Sequence, residues 1–229
     1  MYRARMERKA KRRLCDRDIR NVLRRVLEEE FSGDASTVIL HEFGCAGARA
    51  DIAVVNGRLH GYEIKSEVDS LVRIENQVRG YGLIFDNVTA VVAMKHVEKI
   101  RPKIPKWWGI TAVESTHGRP VLRTVRKGKR NDDQDPRQVA RLLWRDEAYS
   151  FLRQLDLHQG LYRAPAAKIR QRLVEEVPLS QISAEVRRVL KVRGADPVVQ
   201  PPPRSGGSYT TAPTAEARQK NLNWLLSLQ

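Results

Sequence analysis

Asp51, Glu63 and Lys65, in the pattern D-x(11)-E-x-K, are the residues of this chain best suited to chemistry. Phosphodiester hydrolysis needs an activated water, charge relief on the phosphoryl oxygens and a stabilised leaving oxygen. A divalent cation can supply all three. Magnesium prefers oxygen ligands and takes one or two carboxylates from a protein. Asp51 and Glu63, on adjacent strands, suit that role, and the main-chain carbonyl of Ile64 is a candidate third ligand. Manganese can substitute. Lys65, one pleat beyond Glu63, could orient or deprotonate the water, or stabilise charge developing on the phosphate. The pattern alone also arises by chance in charged proteins. The competing reading is two solvent-facing carboxylates with Lys65 as their cross-strand partner.

The elements around the motif separate the two readings. Ala50–Val55 and Leu59–Lys65 are short alternating runs around Asn56-Gly57, a strong hairpin signal. Ile52, Val54, Tyr62 and Ile64 are their apolar even positions. Placing all four in one core requires an even pair sum. A two-residue turn would pair Val55 with Arg58, an odd sum, and split them between faces. The spacing therefore predicts a three-residue loop or a bulge, with Gly57 at positive φ. That register sets Asp51 on the face of Glu63 and Lys65. Ala53 and Gly61 are small, which would leave room there for metal and phosphate.

Upstream, residues 16–31 read as an amphipathic helix with Ile19, Val22, Leu23, Val26 and Leu27 on one stripe. Glu30 closes that stripe, either as a site acid or in water at a fraying end. Val38–Phe43 reads as a strand with Glu42 near its end, and residues 44–49 as a glycine-rich turn. That turn lacks the Gly-Lys-Ser/Thr ending of a phosphate-cradling loop. Downstream, Leu71–Phe85 reads as a helix with Arg73, Gln77 and Tyr81 on a second face. Asn87–Met94 has the continuous apolar run of a central strand, and Ile110–Val113 is a further short strand. The fold class this implies is α/β, a sandwich of helix, three strands, helix and strand around a mixed sheet, with a C-terminal all-helical appendage.

Lys and Arg number 42 against 27 Asp and Glu, for a formal charge of +15 and a pI near 10.3. Such a balance implies a polyanionic partner, with nucleic acid first and a membrane surface a weaker alternative. No apolar run approaches the ~20 residues of a membrane helix, and no apolar segment follows the basic start as in a secretory signal. Cys15 and Cys45 lack any zinc-ligand spacing and read as free thiols of a reducing cytoplasm.

The residues also resemble a known group. Helix, strand, hairpin and helix around Asp51 and Glu63-Ile64-Lys65 resemble the PD-(D/E)XK nuclease superfamily, with Ala50 in place of the motif proline. Gln77-Val-Arg-Gly-Tyr81 is similar to the Q-x-x-x-Y helix motif of the RecB-like branch, where the glutamine lies close to the active site. The nearer resemblance is to small bacterial and phage members, including the MmcB-like DNA repair group. It rests on Glu42, Arg49-Ala50-Asp51, Glu63-Ile64-Lys65-Ser66 and Phe85-Asp86. It covers residues 16–115 and implies a restriction-endonuclease-like core. It also makes Glu42 the auxiliary active-site acid, with Glu30 in reserve.

The expected organisation is a basic arm over 1–15 and a nuclease core over 16–117. A basic linker follows over 118–134, a helical region over 135–193, a Pro/Gly/Ser linker over 194–215 and an apolar helix over 216–229. The arm carries seven Lys/Arg among its first 14 residues against one Glu, suited to phosphate contacts. Asp135-Pro136 marks the start of a helix expected to run to Leu155, with Val139, Leu142, Leu143, Phe151 and Leu152 on one side. Helices near 165–176 and 179–192 read as a helical cap or, less readily, a DNA-holding helix-turn-helix. The final helix is apolar enough to dock on its own domain, a second copy or another protein.

The expected function is a magnesium-dependent nuclease, an endonuclease acting on DNA in repair, phage biology or defence. Asp51, Glu63, Lys65, Glu42 and Gln77 are its catalytic set. Asp51, Glu63 and Ile64 are the metal ligands, and Arg49, Arg73 and Tyr81 contact nucleic acid. The alternatives are an RNA nuclease and a non-catalytic nucleic-acid-binding module of the same fold.

Overall fold

The computed structural model describes residues 13–116 and 119–195. Most of the basic arm, the Pro/Gly/Ser linker from residue 196 and the C-terminal apolar helix lie outside the described residues. The chain divides into two compact units between Asp135 and Pro136.

The first unit is α/β, built on one six-stranded mixed sheet in the order β1-β2-β3-β4-β5-β6. Helix α1 (Asp16–Glu30) precedes strands β1 (Val38–Cys45), β2 (Ala48–Val55) and β3 (Leu59–Lys65). Helix α2 (Ile74–Gly82), strand β4 (Asn87–Ala93), the short helix α3 (Val97–Ile100) and strands β5 (Gly109–Thr116) and β6 (Arg119–Arg126) follow. Strands β3, β4 and β5 run parallel, and the other neighbouring pairs are antiparallel.

The β2–β3 register is the even one: Val55 pairs with Leu59 and Ile52 with Tyr62. Asn56, Gly57 and Arg58 form a three-residue loop. It is closed by the Arg58 N–H donating to Asn56 Oδ1 at 2.9 Å and the Asn56 N–H donating to the Arg58 carbonyl at 3.1 Å. Gly57 does not take positive φ. The asparagine side chain closes the turn in its place, as Asx turns do. Positive φ is spent instead in the β1–β2 turn, at Ala46 (41°) and Gly47 (79°). That is the pair a two-residue type I′ hairpin requires.

One face of the sheet packs on α1. Leu14, Ile19, Leu23 and Leu27 meet Ile52, Val54, Tyr62, Ile64, Val91 and Val113. Leu14 thus belongs to the core rather than to the arm. Val26, expected on the buried stripe, is exposed, and so is Glu30 at the helix end.

The other face is aromatic. Tyr81, Phe85 and Trp108 are fully buried, with Tyr81 edge-on to Phe85 (5.4 Å between centroids) and stacked on Trp108 (5.7 Å). Gly61 is small because the Phe85 ring covers it: a Cβ there would lie 3.0 Å from that ring. The space expected for metal and phosphate at Gly61 is therefore filled by phenylalanine. Gly80 lets α2 lie against the β1–β2 hairpin, since a Cβ would come within 2.9 Å of the Ala48 methyl group.

The segment expected as a basic linker, 118–134, is not one. Residues Arg119–Arg126 form β6, an edge strand on β5, and the rest is stitched to the sheet. Buried Asn131 donates through Nδ2 to the carbonyls of Gly82 (2.7 Å) and Phe85 (3.0 Å), and its N–H to that of Asp86 (2.8 Å). An edge strand needs only one paired side, so its outward positions can stay charged and mask the strand signal.

In the second unit, α4 (Pro136–Ala140), α5 (Arg145–Gln154), α6 (Ala166–Glu176) and α7 (Leu179–Ala195) pack around Val139, Leu143, Leu152, Ile169, Leu173, Ile182 and Val189. The single helix expected over 135–155 breaks before Trp144, whose N–H donates to Glu147 Oε2 at 2.6 Å.

Candidate active site

Strand alternation sends Ile64 into the α1 core and leaves Glu63 and Lys65 on the opposite face, where both are buried at 2% and 5% exposure. A buried charge is tolerated only when paired and hydrogen-bonded. Lys65 Nζ donates to Glu63 Oε1 at 2.6 Å and Gln77 Nε2 to the same oxygen at 2.5 Å. The Tyr81 hydroxyl lies 2.6 Å from Glu63 Oε2 and 2.6 Å from the Arg49 carbonyl, with one proton to serve both. Helix α2 thus brings Gln77 and Tyr81, one turn apart, onto the strand glutamate.

Asp51 lies where β2 and β3 part. Its Oδ2 accepts the Ile64 N–H at 2.7 Å, beyond the last paired residues. Its Oδ1 accepts from Arg20 of α1 at 2.7 Å. Glu42 would face Asp51 across β1 and β2, but the ladder skips both. Glu42 takes left-handed backbone (φ 53°), a strained conformation for a residue with a Cβ. Its carboxylate pairs with Arg20 at 3.0 Å and Arg49 at 2.8 Å.

Burial first, and the Asp51 charge second, raise the Glu63 pKa above the ordinary carboxylate range, against the lowering effect of Lys65 and Tyr81. Asp51 opposes the ionisation of Glu63, and a divalent cation beside both carboxylates would relieve that opposition. Each carboxylate oxygen offers two lone pairs, so the present partners do not exhaust Asp51 or Glu63. Gln77 Oε1 is buried without a hydrogen-bond partner and adds a further oxygen. These donors fit magnesium. Among the described residues no three of His, Cys, Asp and Glu group as a metal cage. The fit therefore rests on two carboxylates and neutral oxygens.

The expected residues separate as follows. Asp51, Glu63, Lys65 and Gln77 come together, and Glu42 joins them through Arg20. Arg49 and Arg73 are exposed, and Arg49 pairs with Glu42. Tyr81, expected to contact nucleic acid, is fully buried against Phe85 and Trp108, so it braces Glu63 instead. Glu30 lies in water at the α1 end. Arg20 was missed. Its only readable mark is Asp16 four residues earlier, an ordinary helix-surface pair. Cys45 is buried and its thiol is pushed up to about 12 by desolvation, which removes it as a nucleophile.

A family model described as Bacteriophage P4 protein cII matches residues 6–196. The chain belongs to the bacteriophage P4 cII family. Protein cII of Enterobacteria phage P4 is 32% identical to this family member over 81 residues, 35% of this chain and 31% of the relative. The chain thus matches about a third of that curated relative's length. A solved structure, the SPO1766 protein of unknown function from Silicibacter pomeroyi, aligns with 62% of this cII-family chain and 90% of its own. It does so at 20% identity and a TM-score of 0.37. No helix among the described residues is long and apolar enough to cross a membrane.

Proposed function

We propose that this protein is a divalent-metal-dependent nuclease that hydrolyses DNA phosphodiester bonds on a restriction-endonuclease-like, PD-(D/E)XK-type core. One observation carries the reading: Asp51, Glu63 and Lys65 converge where β2 and β3 part, with Gln77 and Tyr81 of α2 bonded to the glutamate. Asp51, Glu63 and the Ile64 carbonyl are the oxygens that would hold magnesium or manganese. When bound, the cation supplies charge relief on the phosphate and an acidified water. Gln77 and Tyr81 fix the Glu63 rotamer. Lys65, held beside Glu63, presents an ammonium group to charge developing on the phosphate. The formal charge of +15 favours a nucleic-acid substrate, and the phage origin of the named relative is compatible with phage biology.

The test incubates the protein with supercoiled, linear, single-stranded and branched DNA, and with RNA, in magnesium or manganese. Asp51→Ala and Lys65→Ala are expected to lower cleavage by about 10²–10³-fold, the usual cost of losing one transition-state-stabilising group. Cleavage of RNA alone would move the substrate class. Intact substrates throughout would end the catalytic reading, and equal cutting by wild type and both variants would end the assignment of residues.

A second reading is favoured by the pairing itself. Lys65 on Glu63 and Arg20 on Asp51 neutralise both acids without a metal. A non-catalytic nucleic-acid-binding module would look the same. It would bind DNA with steep salt dependence and leave it whole.

A further inference from the structure

We propose that Arg20 is a resident cation that restricts this site to a single divalent metal ion. The inference rests on the nuclease reading for that one ion. A guanidinium carries five N–H groups, and here four hydrogen bonds run to Asp16 and Asp51 while the same charge also pairs with Glu42. Arg20 Nε and Nη2 reach Asp16 at 3.1 and 3.4 Å, and Nη2 reaches Asp51 Oδ1 at 2.7 Å. Nη1 reaches the Asp51 carbonyl and Glu42 Oε1, each at 3.0 Å. The acids come from α1, β1 and β2, so one side chain gathers three elements at the rim of Asp51. Burial alone would lower the Arg20 pKa, but the bonds and charges of Asp16 and Asp51 outweigh it and raise it, so the guanidinium stays charged.

Carboxylates gathered beside a metal-binding aspartate are the donors a second cation would need. With the guanidinium among them a fixed positive charge already sits where that second cation would. The strained Glu42 backbone is held on this arginine and on Arg49. Arg20 therefore acts as a positioning residue for Asp51 and as a fixed positive charge against a second ion. Hydrolysis would then rely on one metal, with Lys65 as the other positive group.

The experiment titrates Mn2+ into the full chain by calorimetry and electron paramagnetic resonance, for wild type, Arg20→Gln and Arg20→Lys. The expected result is one Mn2+ per wild-type chain, a second and weaker one in Arg20→Gln, and one in Arg20→Lys, which keeps the charge. Two ions in wild type would overturn the role of Arg20 while leaving the metal reading standing. No ion in wild type would overturn both. One ion in Arg20→Gln, or two in Arg20→Lys, would also overturn it. Should Arg20→Gln not fold, Arg20→Met takes its place, with a second Mn2+ expected and a single one overturning the role.

Discussion

Glu147 of the helical unit and Glu63 of the sheet unit are both buried beside a cation, and these two pairs are built for different ends. In the helical unit Glu147, 3% exposed, accepts from Arg193 Nε at 2.9 Å and from Nη2, and also from the Trp144 N–H. Arg193 lies over the Trp144 ring at 3.8 Å and donates to the Leu142 carbonyl. That pair ties the last turns of α7 to the start of α5, where the helix dipole favours a carboxylate. In the sheet unit Glu63 and Lys65 are two residues apart on one strand, so their ion pair itself joins no distant segments. A second acid, Asp51, opposes the ionisation of Glu63. Burial of a charged pair is therefore no sign of function. What sets the Glu63 pair apart is Asp51, which opposes the ionisation of the glutamate.

The contrast can be broken, and the largest expected effect is in the latch. Arg193→Ala should strand Glu147 in the interior and destabilise the helical unit by about 3–5 kcal/mol, the cost of breaking a buried ion pair. Urea unfolding of the full chain would register it. A loss under 1 kcal/mol would mean that water reaches Glu147.

Next come the braces of Glu63. Gln77→Ala should cost about 10–100-fold in metal affinity or cleavage, as partners of metal ligands do, without a comparable loss of stability. A shift in the unfolding midpoint with affinity unchanged would make Gln77 structural only. Tyr81→Phe keeps the ring packing and removes one hydroxyl, at about 1–3 kcal/mol for the buried group left unpaired. Phe should therefore unfold earlier than wild type but far later than Tyr81→Ala.

The smallest effect is a slope. The folded pKa of Glu63 is raised, so the folded state binds more protons than the unfolded chain between the two values. Metal-free stability is then complete below the ordinary carboxylate pKa and falls as pH rises through the folded one. Glu63→Gln should flatten that slope in melting temperature measured with chelator present. An unchanged slope would assign the pH dependence to other groups.

The hairpin that carries Asp51 and Glu63 was legible because its determinants are local. Four apolar even positions and a turn of known chemistry admit one register, and Val55 pairs with Leu59 as that register demands. Asn56 carries the turn rather than Gly57, because a side-chain hydrogen bond can replace positive φ. Strand β6 was illegible because an edge strand fully buries none of its side chains and reads as a charged linker. Tyr81 was misread as a surface residue because helical spacing places residues on faces without saying which face the sheet covers.

By itself the sequence determined the hairpin register, the co-facing of Glu63 and Lys65, and the α/β order of the first unit. All of these follow from alternation and turn geometry within a few residues. Only the tertiary structure decided which of 42 basic side chains meets Asp51. The contact between Arg20 and Asp51 spans 31 positions and depends on how α1 lies on the sheet. Charge attracts without regard to sequence distance, and packing alone selects the partner.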